Sequence, residues 1–264
     1  MSKPKSTTSV IGIASVKGGV GKTTVAVNLA LALSAKDLRV GLLDADLGLA
    51  NSQILLGVNA PNNVSHVFDG DKTVTDVAVE TPQGLVLIPG ASGNQALANI
   101  TAIQATSLID QILQSYPELD VLLIDSAAGL SSANMSFLDA CHLRLLVMQD
   151  EPASIADAYG LIKLESRKDR LKDLYLVPNR VASLQAGKSL FDKMNVVCMK
   201  FLEEPVNYLS CILQDELLTR VTRKRETLVE HHPASAAAQN FDQLADQLAN
   251  QIANQSADRT LEQA

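Results

Sequence analysis

Six short runs in the chain are apolar almost throughout: 10–16 (VIGIASV), 39–43 (RVGLL), 85–88 (LVLI), 120–124 (DVLLI), 143–148 (LRLLVM) and 174–178 (LYLVP). They lack the apolar/polar alternation of a strand with one wet face, and so predict strands covered on both sides. Longer stretches between them suit helices, at 22–35, 101–115 and 153–166. Strand and helix in alternation predict an α/β fold, a mostly parallel twisted sheet with right-handed crossovers and helices on both faces. Residues 57–84 hold Gly57, Pro61, Asn62, Asn63, Gly70 and Pro82, and read as a looser excursion. In 240–264, Phe241, Leu244, Leu248 and Ile252 fall on one side of a helix expected to close the fold and to fray after Ser256. The division expected is a polar tail at 1–9, one domain over 10–255 and a polar tail at 256–264.

Composition sharpens this picture. A chain of 264 residues suits one large α/β domain, and with no Trp and 3% aromatic residues its core must be aliphatic. The net charge of −7 excludes a surface given over to nucleic acid, which needs clustered Lys and Arg. The one concentrated basic stretch is RVTRKR, with Arg220, Arg223, Lys224 and Arg225. It reads as a solvated helix face, with protein docking or nucleic-acid binding as alternatives. Cys141, Cys198 and Cys211 are far apart and form no C-x-x-C pair, so buried reduced thiols are expected. MSKPKSTTS has no apolar segment of a signal peptide, and no apolar run approaches the roughly 20 residues of a membrane span. The expectation is a soluble, cytoplasmic protein.

Ligands of parallel sheets bind at the carboxyl ends of the strands, where the polar residues of this chain concentrate. VKGGVGKTT, residues 16–24, follows the first strand and opens the first helix. Gly21, Lys22 and Thr23 match the second half of a phosphate-binding loop, G-x-x-x-x-G-K-[ST], but Val16 stands where its first glycine belongs and a second lysine, Lys17, precedes Gly18 and Gly19. The glycines permit tight turning, and the loop from Gly18 through Val20 to Thr24 brings backbone N–H groups and a helix N-terminus to an anion. Lys22 is expected on the β- and γ-phosphates of a nucleotide and Thr23 on Mg²⁺. In DVLLIDSAAGL, Asp125 ends a buried run and is placed to hold Mg²⁺ through water, and Gly129 to offer its N–H to the γ-phosphate. In LLDADLGLAN, Asp44 is read as an outer-sphere Mg²⁺ residue and Asp46 as the group that orients the attacking water, turn-forming aspartates being the alternative.

The K-G-G-x-G-K-T-T loop with its early lysine, together with D-x-D and D-x-x-x-G, resembles the MinD/ParA family of P-loop ATPases. The resemblance implies two subunits closing face to face over two ATP molecules, with Lys17 reaching the partner's nucleotide and Lys22 acting within its own subunit. Within the family, LLDADLGLANSQILLG, IPGASGNQALANI, DSAAGLSS, DEPASIADAYGLIKL and QDELLTRVTRKRETLVEHHPASAAAQNF are similar to the flagellar-number ATPases of FlhG/FleN type. That likeness implies a switch in flagellar number or placement with Mg²⁺ and ATP as cofactors. It also implies Glu151 and Asp157 at the dimer face near nucleotide, with helix capping as the alternative, and Asn179 against adenine. The implied partners are a second copy when ATP is bound, a flagellar transcription activator, a polar signal-recognition-type GTPase and flagellar basal-body proteins, with recruitment to the cell pole. Two departures stand out: Ile212-Leu213-Gln214-Asp215 replaces the family's I-P-x-D, and Ser52-Gln53 replaces Val-Asp. The terminal helix sets Asp242, Asp246, Asp258 and Glu262 against a lone Arg259, so membrane binding is expected to be weak or absent. A chromosome- or plasmid-partition ATPase that coats DNA is the alternative function, and the acidic balance argues against direct DNA binding.

Overall fold

A computed structural model describes residues 8–47, 50–91 and 100–262, with side chains as far as residue 254. Its strands are β1 (Ser9–Ala14), β2 (Val40–Ala45), β3 (Val79–Glu80), β4 (Val86–Ile88), β5 (Val121–Ser126), β6 (Leu143–Met148), β7 (Leu174–Val181), β8 (Asn207–Tyr208) and β9 (Ile212–Leu213). They form one sheet in the order β3-β4-β2-β5-β1-β6-β7-β8, with β9 added to β7. Every pairing is parallel except that of the short edge strand β3 with β4.

The apolar runs are explained by what covers the sheet. In β5, Val121 and Leu123 point into one core layer and Leu122 and Ile124 into the other, the period-2 alternation of a strand with two dry faces. On the first face lie the helix Lys22–Ser34, buried almost all round, and the long helix Ala236–Glu262, which seats Phe241, Leu244 and Leu248 beside it. On the second face, the helix Ala102–Ser115 covers the β2 side, and Pro152–Ser166 and Leu184–Phe201 cover β6 and β7. Cys141, Cys198 and Cys211 are buried and free.

Several boundaries differ from the sequence reading, among them β1, which ends at Ala14 and not at 16, and β5, which runs on to Ser126. β2 runs on to Ala45 and β7 to Val181, so Asp44 and Asn179 are strand residues and not the loop residues that follow. Residues 57–84 are more ordered than expected: Asn63 with His66 and Thr73 with Asp76 form reciprocal caps on two short helices, Val64–Phe68 and Val74–Val77, which bury Val64, Val74 and Val77. The last helix begins at Ala236 and continues to Glu262, past Ser256, because no glycine or proline interrupts it. Of the tail read at 1–9, residues 1–7 lie outside the described part and Ser9 opens β1. Most of IPGASGNQALANI also lies outside it, as do Gly48 and Leu49.

Candidate functional site

β1 is flanked by β5 and β6, and the loop leaving its carboxyl end lies between theirs. Gly21 is the N-cap of the helix Lys22–Ser34 at φ 91°, a left-handed conformation that favours glycine, and Gly19 has φ 80°. Val16, by contrast, has no positive φ and packs against the core, so nothing at that position requires the standard motif's first glycine. The loop is shaped by side chains that take up its carbonyls. Asn179 Nδ2 donates to Val20 O at 2.7 Å and Gln149 Nε2 to the same oxygen at 3.4 Å, while Arg180 Nη1 donates to Gly19 O at 3.2 Å. Lys22, Thr23 and Thr24 form the first helical turn, whose amides have no intrahelical acceptor and are available to an anion. A side-chain carbon added at Gly18, Gly19 or Gly129 would stand in open space, so the cradle has room for a ligand.

Its charges are buried. Lys22 Nζ, 6% exposed, donates to Asp125 Oδ1, which is fully buried. Asp44 stands beside Asp125 in the β2–β5 register and is also buried. Burial and the Asp125 charge push the Asp44 carboxyl up to about 6, against the Ser52 amide and the Lys22 ammonium. Burial raises Asp125 as well, against the pull of Lys22 and Thr23. Two carboxylates therefore share one ammonium, and Asp125 Oδ2 is buried without a hydrogen-bond partner among the described residues. That deficit of positive charge beside an unpartnered oxygen fits a divalent cation. Asp44 Oδ1 accepts the Asp46 amide at 3.1 Å, and Oδ2 accepts the amides of Asn51 at 3.0 Å and Ser52 at 2.9 Å. Half-buried Asp46 is near enough for its charge to act on Asp125.

Other expected site residues have partners within the chain. Gly129, at φ 100°, donates its N–H to Ser15 O at 3.0 Å, so the amide read as a γ-phosphate contact is engaged by the loop's own backbone. Lys17 is ion-paired with Glu151, the N-cap of the helix Pro152–Ser166. Glu151 therefore carries its charge at that helix's N-terminus, as the capping alternative has it, although its side chain makes no capping hydrogen bond. Asp157 is half-buried on the same helix. Next to the loop lies a cavity of about 560 Å³, lined by Gly21, Thr24, Asn179, Arg180, Gln214 and Arg223 among others. Asn179 is 2% exposed, and its Oδ1 is buried without a partner among the described residues.

Sequence reasoning missed Gln149, Arg180 and Ser126, whose Oγ donates to Ile13 O at 2.9 Å. Arg180 and Ser126 adjoin Asn179 and Asp125, and Gln149 lies two residues before Glu151, at the carboxyl ends of β7, β5 and β6, so proximity to a strand end was the available signal. The missing proline has a local cause: Leu213 N donates to Asn240 Oδ1 at 3.1 Å, a bond that proline cannot make. Among the described residues no helix is long and apolar enough to cross a membrane.

Comparison with known proteins adds to this geometry. A ParA family model, described as NUBPL iron-transfer P-loop NTPase, matches residues 6–249. The chain is 40% identical over 236 residues to the antiactivator FleN of Pseudomonas aeruginosa, covering 89% of this chain and 84% of that one. It is 34% identical over 246 residues to the flagellum site-determining protein YlxH of Helicobacter pylori, covering 91% and 82%. The septum site-determining protein MinD of Pyrococcus horikoshii, solved as a complex with Mg-ADP, superposes with a TM-score of 0.78 at 28% identity over 92% of this chain and 96% of that one.

Proposed function

The chain belongs to the ParA/MinD family of P-loop NTPases, and from that premise we propose that it is a Mg²⁺-dependent ATPase that dimerises on ATP and controls flagellar number or placement. The observation that carries the ATPase reading is the pair of buried carboxylates sharing Lys22 beneath an open glycine cradle. The flagellar reading is supported by the likeness to FleN and YlxH over most of the chain.

In this reading the amides of Gly18 to Thr24 and the Lys22 ammonium bind the phosphates, and leaving Asp125 for phosphate frees that carboxylate. Thr23 and Asp125 hold Mg²⁺, with Asp44 behind them, and the metal when bound neutralises charge on the phosphate oxygens. Asp46 orients the water that attacks the γ-phosphorus, and the products are ADP and phosphate. Asn179 accepts from adenine through Oδ1, because its Nδ2 is committed to Val20 O and the amide cannot turn round without losing that bond. Lys17 leaves Glu151 to reach the partner subunit's nucleotide, and slow turnover ends the dimer. The partners proposed are a flagellar transcription activator, a polar signal-recognition-type GTPase and basal-body proteins, met at the cell pole.

ATP turnover and size-exclusion chromatography with Mg-ATP test the switch, using wild type and Asp46→Ala. The wild type is expected to dimerise and hydrolyse. The variant should dimerise with turnover at least about 10-fold lower, roughly 1.4 kcal/mol of barrier. A wild type that neither dimerises nor hydrolyses ATP overturns the reading. Counting flagella on cells that lack the chain tests the biological arm, and an unchanged number and placement refute it.

A further inference from the structure

Of the basic stretch, only Arg223 reaches the site described so far; Arg220, Lys224 and Arg225 have no part in it. The stretch lies on the helix Glu216–Lys224, which Leu218 and Val221 anchor in the core. Arg220 and Lys224, one turn apart, share a face of that helix, Arg223 stands beside them and Arg225 caps the end. All four are exposed, and among the described residues none forms an ion pair. Glu216 stands one turn before Arg220 on the same face, Asp215 is the N-cap, and Glu226 follows the C-cap, so the positive charge concentrates at the helix's C-terminal end. Four cations within six residues, none in an ion pair among the described residues, form a net positive patch on a chain of net charge −7.

The patch borders a mainly polar hollow, lined also by Gly57 and Asn59, at whose edge Ile54 is an exposed aliphatic side chain. Arg225, at φ 59°, sets its carbonyl against Gly57, where a side-chain carbon would stand 3.1 Å from it. Arg225 then lines a hollow of about 250 Å³ together with Gln53, Ile54, Val58 and Ala60, and Ile54 is 45% exposed. Both walls of this surface lead to the phosphate site. The helix Ser52–Leu55, carrying Gln53 and Ile54, is held at its start by Asp44, and the helix Glu216–Lys224 walls the 560 Å³ cavity through Leu218, Thr219, Thr222 and Arg223.

We infer that Arg220, Lys224, Arg225 and the Ile54 hollow form a docking surface for an acidic protein segment carrying an aliphatic side chain, coupled to nucleotide through its two walls. Carboxylates of the segment complement the unpaired cations, and the aliphatic group packs on exposed Ile54 at the edge of the hollow. Single-stranded nucleic acid fits less well, because neither the basic stretch nor the hollow offers an aromatic side chain on which a base can stack, and the net charge of −7 opposes duplex DNA, which is held through its phosphates. The coupling rests on the proposed nucleotide site, and the docking chemistry does not. Linkage makes it reciprocal, so the segment and the nucleotide change each other's affinity by the same factor.

The test uses the full chain and a fluorescein-labelled peptide of alternating Glu and Leu, read by anisotropy at several salt concentrations. Controls are a Gln-for-Glu version, a Ser-for-Leu version, a 20-nucleotide single-stranded DNA and vesicles of phosphatidylglycerol. The Glu/Leu peptide should bind best, and Arg220→Glu/Lys224→Glu and Ile54→Ser should each weaken it by about 10-fold or more. Arg220→Gln/Lys224→Gln should give a smaller loss, which keeps the charge argument testable if the reversal perturbs folding. Mant-ATP binding is measured on the same samples. Peptide affinity that shifts with nucleotide supports the coupling, and equal affinity with and without bound nucleotide overturns it. Tighter binding of DNA or vesicles, or equal binding of all three peptides, overturns the docking assignment. A wild type that binds the peptide but not mant-ATP overturns the nucleotide reading and the coupling while leaving the surface supported.

Discussion

Replacing Glu151 with Gln releases Lys17, and the structure sets how much that release is worth. The two side chains are 37% and 52% exposed, so their ion pair is screened by water and contributes roughly 0.5 kcal/mol, not the several of a buried pair. If dimerisation requires Lys17 to leave Glu151, two such pairs break per dimer. The opposing term is then about 1 kcal/mol, about fivefold in the dimer dissociation constant. Glu151→Gln should therefore tighten the dimer about fivefold in Mg²⁺ with a non-hydrolysable ATP analogue, measured by sedimentation velocity. The difference from wild type should shrink at about 0.5 M salt, where screening weakens the same pair. It should vanish in a Lys17→Gln background. A Glu151→Gln dimer weaker than wild type would mean that Glu151 itself contacts nucleotide or partner, and an unchanged dimer would mean that the pair opposes nothing. Either result refutes the reasoning.

Lys22→Ala should lower mant-ATP affinity by at least about 100-fold, where Lys17→Ala leaves the monomer's affinity unchanged; it should also destabilise the fold by about 3–5 kcal/mol in urea, since it leaves Asp125 and Asp44 buried without their cation. Gly21→Ala adds a carbon 2.6 Å from Asn179 Nδ2 at φ 91° and should cost about 2–4 kcal/mol by the same assay, against about 1–2 for Gly19→Ala, which has the strain without the clash. In Mg²⁺-free buffer the folded chain holds the Asp44 proton to about 6, above the ordinary 3.8, so the unfolded chain releases it first as pH rises. Stability should then fall between those values by up to about 3 kcal/mol, and urea titrations of Asp44→Asn should show that slope flattened.

The sheet was legible because strands covered on both faces must be apolar without interruption, and the phosphate loop because its glycines and lysine are contiguous in sequence. What escaped was where the strands end. Asp44, Ser126 and Asn179 are poor strand residues by composition, yet each lies within a strand at the edge where the site is built. Functional positions broke the local pattern there, as consistency between levels leads one to expect. Pairings were harder still. Lys17 meets Glu151 across 134 residues and Asn179 meets Val20 across 159, and no local signal links them. The ordered excursion at 57–84 was missed for a simpler reason: its Gly, Pro and Asn residues mark turns, but two of its polar residues, Asn63 and Thr73, serve as helix caps.

The site divides shape from charge between the two sides of β1. The loop's carbonyls are held from the β6 and β7 side by Gln149, Asn179 and Arg180, whereas its buried charges come from the β5 and β2 side through Asp125 and Asp44. Changes at Gln149 or Asn179 therefore alter how well the loop fits a phosphate without changing the net charge that it meets. Changes on the β5 and β2 side alter the need for a cation without reshaping the loop. Asp44 extends the second side further, because the amides it holds begin the helix that carries Ile54. A carboxylate that is only partly neutralised in the ligand-free chain is thus fixed to a surface element more exposed than itself. A ligand that completes its charge balance would lie two hydrogen bonds from that element, both donated by the backbone amides of Asn51 and Ser52 to the Asp44 carboxylate.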